Sequence, residues 1–248
     1  MTTSSGASTL RGRVALVTGA SGGIGRALSA RLASAGCDLA LTYAHNAATA
    51  EQVAAEARKA GVRAVTLRAD LSEPEAATAL AERAGAELGP IDILIPNAGA
   101  STRTDLAGAD PDLWQQTLTV NLTAPYLLAR AVVPGMAERG FGRVLFVSSV
   151  AAFTGGVIGP HYAASKAGLH GLTYWLASQY ARQGVTVNAI APALIEGTAM
   201  LPAGLDPGQV PVGRFGTTGE ITELAATMLS TGYLTGKIYL VDGGIHLH

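Results

Sequence analysis

The sequence predicts an α/β protein in which one seven-stranded parallel sheet carries helices on both faces. Seven short runs are apolar without alternation, which is typical of strands that are buried on both sides. Helix-like segments separate these runs at short spacing, and such alternation builds a doubly wound sheet. The 248 residues, of which 48% are hydrophobic, are enough to bury a large core in one domain.

Strands and helices alternate from the start of the chain. The predicted strands span residues 14–17, 39–42, 64–67, 91–95, 144–147, 185–190 and 238–241. Helical periodicity covers residues 23–35, 47–60 and 73–88, and glycines stop the first two of these helices. Asp110 before Pro111 places a capping side chain ahead of a proline at the first helical position, which predicts a further helix start.

Composition excludes several classes of protein. The 17 basic and 18 acidic side chains give a net charge of −1, and only 14% of the residues are charged. Intrinsic disorder needs more charge and less apolar surface, and a nucleic-acid partner needs a basic field. The single cysteine, Cys37, allows no intrachain disulfide, which favours a reducing compartment. We therefore expect a cytoplasmic protein without a nucleic-acid partner.

The polar residues 1–10 are expected to form a flexible arm, and residues 11–248 a single Rossmann-type domain. The arm lacks the basic and apolar regions of a secretory signal. The uncharged run 144–165 has the length of a membrane span. Serines, glycines and Pro160 interrupt it, so a strand, a loop and a helix start are predicted instead of membrane insertion.

A glycine-rich loop joins the first strand to the first helix. Gly19, Gly23 and Gly25, with Ser21 and Ile24 between them, occupy residues 18–25. Glycines at this position let backbone approach a pyrophosphate at a helix N-terminus. The spacing departs from G-x-G-x-x-G, and an ordinary tight turn is the alternative interpretation.

The end of the second strand bears on the choice between NAD(H) and NADP(H). An acidic residue about 20 positions beyond the glycines would bind the ribose 2′-hydroxyl of NAD. Residues 41–46 contain no Asp or Glu, which favours NADP(H) over NAD(H). No Lys or Arg stands there either, so His45 and Asn46 are the available partners, with Thr42 and Ser21 nearby.

Tyr162 and Lys166 form the candidate proton-transfer pair. They are four residues apart in a helix-forming segment and therefore share one helix face. A neighbouring ammonium is expected to lower the pKa of the phenol, so that it can transfer a proton near neutral pH. Ser149, at the end of a predicted strand, is placed to hold a substrate carbonyl oxygen.

These motifs together resemble the classical short-chain dehydrogenase/reductase family over essentially the whole chain, and most closely its 3-oxoacyl-(acyl-carrier-protein) reductase-like members. The motifs are residues 18–25, Asp70-Leu71, Asn97-Ala98-Gly99, Asn121, Ser149, Tyr162, Lys166 and residues 241–244. The resemblance implies a catalytic tetrad of Asn121, Ser149, Tyr162 and Lys166, and a homotetramer. With the glycine loop and the second strand, it gives the cofactor-binding set Gly19, Ser21, Gly23, Ile24, Gly25, Tyr43, His45, Asn46, Asp70, Leu71, Asn97, Ala98, Gly99, Tyr162, Lys166, Pro192 and Thr198.

Asn121 is predicted to lie in a helix with Pro125 four residues later. Proline has no N–H, so the main-chain carbonyl of Asn121 loses its usual partner and is free to bind a relay water. Three departures from the family pattern stand out. Pro96 replaces the first of two usual asparagines, Gly22 stands where NADP-using members often have a basic residue, and Ala193 replaces a glycine.

We therefore predict hydride transfer between NADP(H) and a carbonyl or secondary alcohol, with a ketone or 3-oxoacyl group as substrate. An NAD-dependent alcohol or sugar dehydrogenase is one alternative, and a non-catalytic NADP(H)-binding sensor or scaffold is another. No metal-ligand spacing is found. Arg139 and Arg182 are expected to be ordinary solvated side chains, with docking of an acidic carrier protein as the alternative.

Overall fold

The computed structural model describes residues 10–201 and 204–247, and these residues contain the seven-stranded parallel sheet that the sequence predicts. The strands follow the order β3-β2-β1-β4-β5-β6-β7, and every pair is parallel. Their bounds are β1 Val14–Val17, β2 Asp38–Tyr43, β3 Ala64–Arg68, β4 Ile93–Ile95, β5 Gly142–Val147, β6 Val185–Pro192 and β7 Ile238–Val241.

Helices cover both faces of the sheet. They are α1 Gly23–Ser34, α2 Ala47–Lys59, α3 Pro74–Leu88, α4 Pro111–Leu118, α5 Ala124–Glu138, α6 Ala151–Thr154, α7 Pro160–Tyr180 and α8 Thr218–Ser230. Successive strand residues point to opposite faces of the sheet and belong to two hydrophobic clusters. Leu16 and Phe146 belong to the cluster beneath α3, α5 and α7, whereas Leu41 and Leu145 belong to the cluster beneath α1, α2 and α8. The doubly wound fold is thereby confirmed.

The fourth strand is shorter than predicted, because it begins at Ile93 and not at residue 91. The carbonyl of Ile91 accepts a hydrogen bond of 2.7 Å from the Arg139 guanidinium, and Arg139 also pairs with Asp92 at 3.8 Å. Arg139 was expected to be a plain surface residue or part of a docking site. The structure gives it a structural role, since it fastens the end of α5 to the entry of β4.

The start of the described chain belongs to the core. Residues 1–9 of the predicted arm lie outside the described residues, whereas Leu10 is buried in the cluster with α1. Its carbonyl accepts a hydrogen bond of 3.2 Å from the Cys37 thiol. Burial is the main reason that the pKa of Cys37 is raised to about 12. The only thiol of the chain is therefore protonated at neutral pH.

The helical stretch that contains Asn121 is interrupted by a π-turn. Residues Thr119–Thr123 adopt π-helical geometry between α4 and α5, and the N–H of Ala124 reaches back to the carbonyl of Thr119. Pro125 follows at once and cannot donate to the carbonyl of Asn121. Such bulges appear where a helix must depart from regular hydrogen bonding, frequently at functional sites.

Candidate active site

The predicted site residues collect at the carboxyl edge of the sheet. The strand order reverses direction between β1 and β4, and open α/β sheets bind ligands in the crevice at this point. The glycine loop follows β1, Asn97 follows β4, Ser149 follows β5 and Thr198 follows β6. One crevice is therefore lined by segments far apart in sequence.

The loop after β1 is packed so closely that side chains are excluded from it. Gly19 has a φ of 65°, in the left-handed region. A Cβ on Gly25 would overlap the carbonyl oxygen of Gly19, and one on Gly23 would overlap that of Gly197. The backbone at the start of α1 is therefore bare, as close approach of a phosphate requires.

Asn97 fixes this loop from the next strand. Its amide nitrogen donates to the carbonyls of Thr18 at 2.9 Å and Gly19 at 3.1 Å. In return, the Thr18 hydroxyl accepts the backbone N–H groups of Asn97 and Ala98 at 3.0 and 2.9 Å. The NH₂ group of Asn97 is thus committed to shaping the crevice, and contact of Asn97 and Ala98 with a cofactor stays a prediction.

The end of β2 carries three of the residues predicted to contact the cofactor. Tyr43 is half-buried, whereas His45 and Asn46 are exposed. The side-chain oxygen of Asn46 accepts the N–H of Thr49 at 3.1 Å and caps α2. Asn46 therefore has a structural use of its own, which leaves His45 as the freer of the two polar side chains.

A basic residue that the sequence analysis missed lies beside this strand end. Arg68, the last residue of β3, stands opposite Tyr43 in the parallel register. Its Nε donates to the carbonyl of Ala44 at 3.4 Å. Arg68 lies near the end of β2 only because β2 and β3 pair in the sheet, and the sequence alone does not show this pairing.

Asp70 and Leu71 follow β3. One carboxylate oxygen of Asp70 accepts hydrogen bonds from the hydroxyl and the N–H of Ser72, at 2.7 and 3.0 Å. These bonds are the main cause of a lowered pKa for Asp70. Asp70 is exposed, whereas Leu71 is buried in the core beneath α3.

Lys166 is a buried cation at the other end of the crevice. Its Nζ donates to the carbonyl of Val147, at the end of β5, at 2.8 Å. No carboxylate in the described part of the chain pairs with it, and burial lowers its pKa to about 8. A Cβ on Gly99 would come within 3.6 Å of this nitrogen, so the glycine leaves space above the amine.

Tyr162 lies beside Lys166 on α7, with the Lys166 Nζ 5.8 Å from its ring centroid. Its hydroxyl donates to the Met200 sulfur at 3.6 Å. Burial raises the pKa of Tyr162, and a hydrogen bond with Ser149 acts in the opposite direction. The expected lowering of this pKa by Lys166 is therefore wrong for the protein alone, because the amine is itself desolvated and is directed to the Val147 carbonyl.

The Asn121 side chain pins the loop after β4. Its Oδ1 accepts the N–H of Ala100 at 2.8 Å, and its Nδ2 donates to the Ala100 carbonyl and the Ser165 hydroxyl, both at 3.0 Å. Asn121 is fully buried. Its amide is thus saturated by protein groups, and any relay function falls to its main-chain carbonyl.

His161 precedes Tyr162 on α7 and contacts the loop after β4. The ring is fully buried, and its Nε2 lies 3.1 Å from the carbonyl of Thr102. Because a carbonyl only accepts, Nε2 carries the proton. Nδ1 has no partner within the described residues. His161 therefore holds the loop after β4 against the start of α7.

The remaining predicted contacts lie at the same edge. Ser21 and Ile24 are half-buried in the glycine loop, and Ile24 packs against the core. Pro192 ends β6, and its carbonyl accepts the N–H of Val150 at 3.0 Å. The Thr198 hydroxyl donates to the carbonyl of Ile195 at 2.8 Å.

The crevice fits a nicotinamide dinucleotide. The glycine loop at the N-terminus of α1 lies at one point of the crevice, and the buried amine of Lys166, next to Gly99, lies at another. No cluster of three potential metal ligands occurs in residues 10–201 or 204–247. Within the same ranges, no helix is both long and apolar enough to cross a bilayer.

Comparison with known proteins agrees with this geometry. The family described as short chain dehydrogenase matches residues 13–205. The 3-oxoacyl-(acyl-carrier-protein) reductase of Pseudomonas aeruginosa is 36% identical over 245 residues, covering 96% of this chain and 99% of its own length. The 2-dehydro-3-deoxy-D-gluconate 5-dehydrogenase of Pseudoalteromonas atlantica is 35% identical over 244 residues, covering 95% and 96%.

A solved structure of a blue fluorescent protein from a metagenomic library, in complex with NADPH, superposes with a TM-score of 0.87 at 33% identity. The match covers 96% of this chain and 99% of that one. The fold and the crevice define a nucleotide-dependent oxidoreductase. The chain belongs to the short-chain dehydrogenase/reductase family and is an NAD(P)-dependent enzyme acting on CH–OH and C=O groups.

Proposed function

We propose that the enzyme uses NADPH to reduce a ketone or a 3-oxoacyl group. The observation that carries this proposal is the grouping of the buried Tyr162 and Lys166 with the half-buried Ser149, at one end of a crevice that fits a dinucleotide. A phenol, a hydroxyl and an amine in this arrangement can polarise and protonate a carbonyl oxygen.

Each residue of the tetrad has a distinct role in the proposal. When bound, the nicotinamide supplies the hydride to the carbonyl carbon. Tyr162 donates its phenolic proton to the carbonyl oxygen, and Ser149 orients that oxygen through its hydroxyl. Lys166 binds the ribose of the nicotinamide half and supports the charge of the phenolate that forms. The main-chain carbonyl of Asn121, which Pro125 cannot bond, holds the water that returns a proton.

The state of Tyr162 favours the direction of reduction. Burial raises its pKa above the ordinary value, so the phenol is neutral at pH 7 and is ready to donate. Oxidation of an alcohol needs the phenolate instead. We expect the oxidation rate to rise with pH across the alkaline range, while the reduction rate stays level through neutrality.

NADP(H) is preferred over NAD(H) in this proposal. An acidic residue at the end of β2 would repel a 2′-phosphate, and residues 41–46 contain none. The similar structure in complex with NADPH adds support for this choice of nucleotide. The names of the relatives differ in substrate, so an acyl thioester and a sugar acid both belong in any test.

The deciding experiment is a panel followed by nicotinamide absorbance, in which ketones and 3-oxoacyl thioesters are supplied with NADPH or NADH and sugar acids with NADP⁺ or NAD⁺. The expected result is turnover of a ketone or 3-oxoacyl thioester, at higher kcat/KM with NADPH. Turnover of a sugar acid with NAD⁺ would favour the second candidate, a sugar dehydrogenase like the Pseudoalteromonas relative. Tight NADPH binding without any turnover would favour a sensor or scaffold.

We also propose a homotetramer, as the family resemblance implies. Exposed aromatic side chains on the outer helices, Tyr126 on α5 and Tyr174 and Trp175 on α7, are consistent with subunit contacts. Light scattering coupled to size-exclusion chromatography tests this proposal, and a mass of one subunit would contradict it.

A further inference from the structure

Arg68 is a surface cation whose position is fixed by the sheet. It ends β3 opposite Tyr43, and its Nε donates to the carbonyl of Ala44 at 3.4 Å. A guanidinium has five N–H donors in a planar fork. No carboxylate in residues 10–201 or 204–247 forms an ion pair with Arg68, so most of these donors have no protein acceptor.

His45 and Asp70 share this neighbourhood. The charges of His45 and Arg68 both act on the Asp70 carboxylate, in addition to its bonds to Ser72. Ser72 occupies one oxygen of that carboxylate, and no ion pair joins Asp70 to Arg68, so Asp70 does not tie down the guanidinium. Arg68 and His45 therefore flank the Ala44 backbone with hydrogen-bond donors that have no acceptor in the described part of the chain.

The glycine loop and the end of β2 supply no lysine or arginine of their own. Residues 18–25 and 41–46 contain neither Lys nor Arg. A phosphate monoester is a dianion with three acceptor oxygens, and arginine binds such groups through two parallel N–H bonds. An arginine near the end of β2 is the usual means by which a Rossmann-type crevice accepts a 2′-phosphate.

We propose that Arg68, assisted by His45, binds the 2′-phosphate of NADP(H) and is the residue that sets the preference for NADP(H) over NAD(H). The inference rests on the proposed function, because it concerns the nucleotide of the same site. It assigns the nucleotide specificity to a residue of β3, and not to the glycine loop or the end of β2.

Direct titration of the wild type and of Arg68→Gln with NADP⁺ and NAD⁺ tests the inference by calorimetry, without any turnover. The affinity for NADP⁺ should fall about tenfold in the variant, with NAD⁺ affinity unchanged, because one charge-assisted contact to the 2′-phosphate is lost. Adenosine 2′,5′-bisphosphate should weaken in the same way, and 5′-AMP should not. The difference in NADP⁺ affinity between wild type and variant should also shrink at high salt, since the side chains of Arg68 and His45 are exposed.

Arg58→Gln is the matched control. Arg58 pairs with Glu51 and donates to the carbonyl of Ala64 at the opposite end of β3, so this variant removes the same charge away from the crevice. It should leave both affinities unchanged. An equal fall of NADP⁺ affinity in both variants would make the effect a general one of net charge and would overturn the assignment.

Two further outcomes separate this inference from the proposed function. If the wild type prefers NADP⁺ and Arg68→Gln keeps that preference in full, the role of Arg68 is wrong while the proposed function stands. If the wild type binds NAD⁺ more tightly or binds neither nucleotide, the proposed use of NADPH fails, and the inference fails with it.

Discussion

The two ends of the crevice are built in opposite ways. At the end formed by β4, β5 and β6, Asn121, Tyr162 and Lys166 are at most 3% exposed and are held by interior hydrogen bonds. At the end formed by β2 and β3, His45 and Arg68 are exposed. Proton transfer needs desolvated groups in fixed positions, whereas selection between two soluble nucleotides can rely on surface charge. Substitutions should therefore alter rate at the first end and affinity at the second.

Tyr162→Phe should have the largest effect at the buried end of the crevice. Loss of the phenolic proton donor should lower kcat about 1000-fold, since general acid catalysis contributes roughly 100- to 10,000-fold. The Kd for NADPH should change little, because the ring remains. Steady-state kinetics and fluorescence titration measure the two quantities. A variant with wild-type kcat would show that the proton comes from another group.

Asn121→Leu tests whether the buried end depends on its hydrogen bonds. It would leave the N–H and C=O of Ala100 without a partner and would remove the bond that the Ser165 hydroxyl accepts, although that hydroxyl still donates to the Tyr162 carbonyl. The free energy of unfolding should fall by about 3 kcal/mol. Urea unfolding measures this change. Asn188→Leu is the matched control, because Asn188 is buried on β6 and also pins two backbone groups.

Both asparagine variants should lose comparable stability, but only Asn121→Leu should lose kcat at a temperature where each is folded. An equal loss of kcat in both would reduce Asn121 to a purely structural residue.

Lys166→Met tests the charge at the buried end through pH. The folded pKa of about 8 lies below the ordinary value of 10.5, so the unfolded chain binds more protons between these values. The free energy of unfolding of the wild type should therefore rise with pH, by about 2 kcal/mol between pH 8 and 10, relative to the variant. The raised pKa of Tyr162 opposes this trend only above pH 10. Parallel urea-unfolding profiles would contradict the burial of a titrating amine.

Gly25→Ala sharpens the comparison at the nucleotide end. The added Cβ would overlap the Gly19 carbonyl and displace the loop, so affinity for NADP⁺ and NAD⁺ should fall alike, by about tenfold. Arg68→Gln should weaken the binding of NADP⁺ alone, whereas Gly25→Ala should weaken the binding of both nucleotides. Gly85→Ala on α3, where nothing lies within 4 Å, is the control and should leave binding unchanged. Selective loss of NADP⁺ in Gly25→Ala would contradict a shared pyrophosphate site.

The fold could be predicted from the sequence because the central strands are continuous apolar runs, as in β1, β4 and β5, and helix-like segments separate the runs. The sequence also indicated part of the site, because Ser149 follows a buried strand and Tyr162 and Lys166 share one helix face. Asn121 was included through the family resemblance. The π-turn at Thr119–Thr123 was not predicted, because its signal is one missing N–H in an otherwise helical pattern.

Properties that depend on the surroundings of a side chain were missed. Arg68 is 23 residues beyond His45 in the chain, and only strand register makes them neighbours. The direction of the Tyr162 pKa depends on how burial compares with the charge of Lys166, which spacing on a helix does not reveal. The burial of His161 depends likewise on the path of the loop after β4.

The thioether of Met200 beside the Tyr162 hydroxyl has a consequence for substrate range. Sulfur is a feeble acceptor, so an incoming ketone oxygen displaces it with little penalty. The unbranched methionine chain can then adopt many shapes around whatever group flanks the ketone. One wall of the pocket is thus flexible, and we expect tolerance of varied bulk on the side of the ketone that faces Met200.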